Sequence, residues 1–480
     1  MSSSVKSSST PLKFTHLTPG ILYRSLAIAG LVLFFFYALL IRTPFNQGVI
    51  SFHLKRQSSP NITVDSAPTN ISHIGFIVVS SVRMWKHRRP YTESWWRSNV
   101  TRGYVFLDKE PPKEFLPWPS KVPPYRVNEE ITKLRVYPKL VNPVEVRIMR
   151  SILDMYRAGD KGLRWFIMCD DDTLFFVDNL VEVLGKYDHT KFFYIGGNSE
   201  SIKSNADFSF EMGFGGAGYA LSYPLVEALV KSIDGCIERY PHLFLSDHRA
   251  QHCLADIGVA LTIERGIHQI DLHDDISGLL SAHPQSPLLT LHHFDTVNPI
   301  FPTMDKYQST RHLMKAADLD QSRLLQQTIC YHRESNWSFS VSWGYSVHVY
   351  ESIISRTILR KPLETFTPWS RTRGAFFMFN TRRVTKNPCE VPHVYFFESI
   401  EHISGDKILT TYVRASPRNL PSCSTAGNHS ADPISRIQVL SPASTRKTAG
   451  EIECCDVVQK GQSNTSSINL RSCMNGEVIA

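Results

Sequence analysis

No part of this 480-residue chain is strongly charged in one sense: 52 Lys and Arg face 44 Asp and Glu, a formal balance of +8. That excludes a nucleic-acid footprint, since Lys86-His-Arg-Arg89 is only a short local basic run. Internal repeats are absent, which excludes solenoids and propellers. Gly213, Gly215, Gly216 and Gly218 lack the spacing of a phosphate loop. His248 and His252 stand four apart, without the Glu that a metalloprotease helix carries. No small-x-small cleavage site follows the apolar run at residues 25–41, so a removable signal peptide is not expected there.

That run lies uncharged between Arg24 and Arg42, at the short end of a membrane-spanning helix, and reads as a signal anchor suited to the thinner membranes of the early secretory pathway. Flanking charge does not orient it, because basic residues precede and follow it closely. Sequons do: Asn61, Asn70, Asn99, Asn336, Asn428 and Asn464 all lie after the run. So do all nine cysteines, five of them from Cys389 onward, which fits an oxidising lumen. An odd count leaves a thiol over, and Cys169, inside an apolar strand, is the expected free one.

The expected organisation is a disordered cytosolic tail (1–24), the anchor (25–41), a polar luminal stem (42–70), an α/β domain (71–320) and a β-rich, cysteine-containing module with a flexible end (321–480). Strands are expected at 74–80, 104–107, 165–169 and 192–197, with helical periodicity at 144–156 and around Leu180, Val183 and Leu184. Such alternation predicts a mostly parallel sheet with helices on both faces. Beyond residue 320, Ser338 to Tyr350 alternates strictly, and short strands are expected at 375–379, 394–397, 408–413 and 437–440.

Trp165 to Cys169 empties directly into Asp170, Asp171 and Asp172. Three adjacent carboxylates repel one another and are costly to bury, so they are expected exposed at the strand's carboxyl end, where open α/β sheets bind ligands. Oxygen ligands suit magnesium or manganese. The bland alternative is an acidic turn in which Thr173 or Asp178 caps the next helix.

Several ordered motifs resemble the Fringe-like, β-1,3-glycosyltransferase family, and most closely its plant Fringe-related branch. They are Arg89-Pro-Tyr-Thr-Glu-Ser-Trp-Trp96, Trp165-Phe-Ile-Met-Cys-Asp-Asp-Asp-Thr173, Gly213-Phe-Gly-Gly-Ala-Gly-Tyr219, Ser246-Asp-His-Arg249, Gly266-Ile-His-Gln269 and Leu291-His-His-Phe-Asp295, with Ser340-Val-Ser-Trp-Gly-Tyr345 further on. The resemblance spans roughly residues 71 to 460. It implies a GT-A nucleotide-sugar transferase fold and an inverting transfer of a hexose or N-acetylhexosamine, β-1,3-linked, from a UDP-sugar to a glycan or glycoprotein. It also implies a type II Golgi membrane protein held by its N-terminal helix, with no nucleic-acid partner.

For the site, the resemblance implies a Mn2+ or Mg2+ ion on Asp170, Asp172 and His268, and Asp247 as the base that deprotonates the acceptor hydroxyl. It places the donor against Asp171, Arg89, Asp108, Gly215 and Gly216. This chain has Ser-Asp-His-Arg where Fringe enzymes have Pro-Asp-Asp, so a helix N-cap stands beside the base as a role for Asp247. A catalytically silent glycan-binding scaffold of the same fold is the rival class, and loss of the triplet would have favoured it. A metal-dependent phosphohydrolase would need ligands for a second ion that the sequence does not clearly offer.

Overall fold

The computed structural model describes residues 67–480, apart from 372, 404, 424–429, 444–452, 460–462 and 479–480. The expected tail, anchor and most of the stem, with Asn61 and Asn428, lie outside the described residues. Among those described, no helix is long and apolar enough to cross a membrane.

The first part of the chain builds β1 (Ile74–Val79), α1 (Val82–Trp95), β2 (Arg102–Leu107), β3 (Tyr125–Val127), α2 (Pro143–Arg157), β4 (Trp165–Asp170), β5 (Leu174–Phe175) and α3 (Val177–Leu184). It continues with β6 (Tyr194–Gly196), α4 (Ile202–Asp207), β7 (Tyr219–Ser222), α5 (Tyr223–Arg239), α6 (Ser246–Asp256), β8 (Leu261–Ile263), β9 (Ile267–His268), β10 (Leu272–Asp274) and β11 (Thr290–Leu291). Seven strands form one sheet in the order β3-β2-β1-β4-β7-β6-β8. Its pairs are parallel except those of β7, which runs against both β4 and β6.

Side-chain alternation divides the core. Ile74, Phe76 and Val78 of β1, with Trp165, Ile167 and Cys169 of β4, face one hydrophobic cluster. Ile77, Val79, Phe166 and Met168 face the other, packed against α2, α5 and α6. Both faces being covered explains why these strands read as continuous apolar runs rather than alternating ones. Cys169 is the buried free thiol.

A second, eight-stranded sheet follows, in the order β12-β13-β14-β16-β17-β18-β20-β19. Its strands are β12 (Gln327–His332), β13 (Trp337–Ser342), β14 (Ser346–Tyr350), β16 (His393–Ile403), β17 (Lys407–Arg414), β18 (Arg436–Pro442), β19 (Glu453–Gln459) and β20 (Thr465–Ser472), while β15 (Phe366–Pro368) pairs with β10. One hydrophobic cluster reaches from β1 and β4 into β12 to β20, and residues 67–480 form a single compact unit.

Two expectations need correction. Ser338 to Tyr350 is a hairpin, β13 and β14, turning at Gly344, whose φ of 74° suits glycine. Residues 375–379 contribute only an isolated bridge, Phe377 to Ser201. The chain's last strands, β19 and β20, are tied down by Cys330–Cys455 and Cys454–Cys473. Cys236–Cys253 and Cys389–Cys423 complete the disulfides.

Candidate active site

Because β1, β2 and β4 run parallel, their carboxyl ends lie along one edge, and Ser80, Asp108 and the Asp170–Asp172 turn follow directly from them. Only Asp170 is half-exposed. Asp171 and Asp172 are buried, against the expectation of a solvated triplet. Charged partners make that burial tolerable. Ser80 Oγ donates to Asp171 Oδ2 at 2.5 Å, and Arg88 Nη1 reaches Asp171 and Asp172 at 3.3 and 3.2 Å. Arg88 also pairs with Asp295. The Asp171 carboxylate is thus held between β1 and α1 and is not offered to a donor.

His292, just beyond β11, stands 3.2 Å from Asp172 Oδ1 and 3.6 Å from Asp170 Oδ2 through Nε2. Asp170, Asp172 and His292 are close enough together to share one ion. Burial would push the Asp172 carboxyl up, but the His292 and Arg88 charges hold it well below the usual range. Burial, with the Asp172 charge beside it, pushes Asp171 up. Burial alone would lower His292, and the two aspartates raise it instead. Asp172 Oδ2 is buried without a hydrogen-bond partner. Two carboxylates and an imidazole, one carboxylate oxygen being unmet, fit a divalent cation of the manganese or magnesium kind.

His268 is not in this group. Its Nδ1 lies 2.8 Å from Glu200 Oε1, in a separate cluster with His283. Arg89 does not reach the triplet either: it pairs with Glu93 one turn along α1, and the arginine at the site is Arg88. Asp108 is exposed at the same sheet edge, where its Oδ1 accepts the Val82 amide at 2.8 Å, while Ser81 is the N-cap of α1. The N-cap roles foreseen for Thr173 and Asp178 are not taken up. Phe176 precedes α3, Thr173 Oγ1 donates to the Gly216 carbonyl at 2.6 Å, and Asp178 forms a two-pronged pair with Arg97.

Asp247 lies in the first turn of α6, after Leu245 as N-cap, so it is not the cap itself. Glu145 Oε2 accepts the Ser246 amide at 2.8 Å and fixes the start of that helix. Asp247 Oδ2 accepts the Gly215 amide at 2.8 Å, and Oδ1 accepts from Ser246 Oγ at 3.1 Å. Burial, with the Glu145 and Asp170 charges nearby, raises its pKa to about 7. That value suits a general base near neutrality.

Gly215 and Gly216 owe their identity to the same crowding. A Cβ on Gly215 would lie 2.3 Å from Asp247 Oδ1, and one on Gly216 would lie 2.2 Å from His292 Cε1. The carboxylate of Asp247 and the imidazole of His292 therefore abut adjacent residues of one backbone segment. The sequence places His292 directly beside His293 and does not tell the two apart. The pointer it held was the pair of histidines directly after a short apolar strand.

A family profile described as "Protein of unknown function, DUF604" matches residues 204–455, more than half of the chain. The chain belongs to that family. The matched stretch holds Gly215, Gly216, Asp247, His268 and His292 but starts after the Asp triplet. No curated protein matches the chain in sequence. Among solved structures, a glycosyltransferase involved in the glycosylation of the major capsid of PBCV-1 is similar at 11% identity and a TM-score of 0.28, over 50% of this chain and 98% of its own. Core-mannan synthase A from Aspergillus fumigatus, in a Mn/GDP form, is similar at 11% identity and a TM-score of 0.24, over 40% and 73%. TM-scores this low carry no argument about this DUF604 chain.

Proposed function

We propose that this chain is an inverting, metal-dependent glycosyltransferase. It moves a hexose or N-acetylhexosamine from a UDP-sugar to a glycan or glycoprotein, β-1,3-linked, in the Golgi lumen, as a type II membrane protein. The observation that carries the reading is the juxtaposition at Gly215-Gly216: a carboxylate with a pKa of about 7 on one residue and a ligand of the Asp170–Asp172–His292 group on the next. A proton acceptor beside a cation-binding group at the carboxyl edge of a mostly parallel sheet is what single-displacement sugar transfer requires. The ordered motifs supply the choice of nucleotide sugar.

In this reading Asp247 takes the proton of the acceptor hydroxyl as the new glycosidic bond forms. The Gly215 amide and Ser246 hydroxyl hold its two oxygens in place. Arg88 and Ser80 hold the buried acids, so that Asp170 and Asp172 keep a fixed arrangement. Asp170, Asp172 and His292 would hold the cation, which when bound would screen the charge of a departing diphosphate.

The test is a panel of UDP-sugars, each supplied with manganese, with donor hydrolysis as the readout, because many transferases slowly hydrolyse their own donor. Manganese-dependent release of UDP from one sugar supports the reading. Absence of both turnover and metal-dependent UDP binding across the panel ends it, and would leave a glycan-binding scaffold.

A further inference from the structure

A second cluster of ligating groups lies apart from the one the transferase reading uses. β9 and β11 run parallel with Leu291 opposite His268, so strand alternation directs the His268 side chain and that of the next residue along, His292, to opposite faces. On its own face His268 meets Glu200 and His283. Glu200 Oε1 lies 2.8 Å from His268 Nδ1 and 3.7 Å from His283 Nε2, and the three residues offer atoms within 4.8 Å of one another. The carboxylate is fixed, because its Oε2 accepts the Ile270 amide at 2.7 Å. The His283 ring is fixed too, packed 4.1 Å from the ring of Phe379.

Glu200 and His268 are each 5% exposed, and His268 Nε2 has no hydrogen-bond partner. All three residues line one cavity of about 950 Å³, with Asn198, Arg265 and Gln285 also in its wall.

We infer that Glu200, His268 and His283 form a second divalent-cation site, of zinc type, independent of the transferase reading. Two imidazoles and one carboxylate with a free position beside them is the donor set of open zinc sites, whereas the two-carboxylate group at Asp170 suits harder ions. A tetrahedral ion with bonds of about 2.0–2.2 Å keeps its ligands roughly 3.3–3.6 Å apart. That lies between the 2.8 and 3.7 Å separations in the structure. A Glu–His hydrogen bond accounts for the 2.8 Å contact, whereas the 3.7 Å approach of His283 Nε2 to the same oxygen is long for a second one. The fourth position faces the cavity and takes water or a ligand oxygen.

The test is equilibrium dialysis of the full chain against zinc, followed by elemental mass spectrometry, for the native protein, His283→Ala and Asp170→Asn. The native chain is expected to retain one more zinc than His283→Ala, and Asp170→Asn is expected to keep that ion. Equal zinc in the native chain and a folded His283→Ala overturns the site. Should His283→Ala fail to fold, X-ray absorption of the zinc-loaded native chain decides. Two imidazoles around zinc support the site, and a shell without them removes it. Donor turnover is not read, so the outcome is separate from that of the transferase.

Discussion

The carboxylate of Asp247 accepts the backbone amide of Gly215 at 2.8 Å, with no room between them for a Cβ. Asp247→Asn keeps that shape, so donor and metal binding are expected to survive. Transfer is expected to fall by about 10²-fold or more, the usual loss with a positioned base. Near-normal transfer would move the base elsewhere.

The same residue sets a pH dependence. Its pKa of about 7 means the basic form is lost as pH falls below neutrality, and transfer should decline with it. Stability runs the other way. A carboxyl whose folded pKa is raised binds its proton more tightly in the folded state. Its contribution is therefore greatest at low pH and lost between the unfolded value and about 7. Melting curves of Asp247→Asn should consequently match the native protein in acid and exceed it at pH 8. A constant difference across that range would contradict the shift.

Gly216→Ala is expected to push His292 away from Asp172, because the new methyl would meet the imidazole at 2.2 Å. Manganese affinity should drop by roughly 10- to 100-fold, the cost of disturbing a ligand's orientation. Calorimetry with manganese and UDP measures it, and unchanged affinity would remove His292 from the ligand set.

Asp172→Ala should do more than abolish metal-dependent UDP binding. The side chain is wholly buried between Arg88 and His292, and removing one partner of such a group costs about 3–5 kcal/mol. A clear loss of melting temperature is expected, smaller in Asp172→Asn, which preserves the volume. Equal melting of all three proteins would argue against the buried network.

Asn70, Asn99, Asn336 and Asn464 are exposed and open to a glycosylating enzyme if this part of the chain is luminal. A peptide N-glycosidase mobility shift is expected for protein from a eukaryotic host. No shift would reverse the proposed orientation.

The parallel sheet and the Asp turn were legible because β1 and β4 are buried on both faces and so spell out unbroken apolar runs. The partners of the turn were not. Arg88 and Arg89 are neighbours in sequence, and only the phase of α1 decides which reaches the triplet. His292 and His268 differ by pairing: a two-residue strand, β11, lies between β5 and β9, and no periodicity announces strands that short. The hairpin at Gly344 read as one strand because Val341 and Val347 pair directly, so the alternation keeps its parity through the turn. Burial of Asp172 was misjudged for a related reason. Its counter-charges come from Arg88 and His292, 84 and 120 residues away in the chain.

The edge strands of the second sheet, β12 and β19, lie against each other, and Cys330–Cys455 links them across 125 residues. β20 enters between β18 and β19, alongside strands made before it. The last strand in the chain is thus an inner one, and the sheet is not continuous without residues 465–472. Cys330–Cys455 ties the two outer strands to each other, so neither edge is left as a free template on which another chain could add a strand.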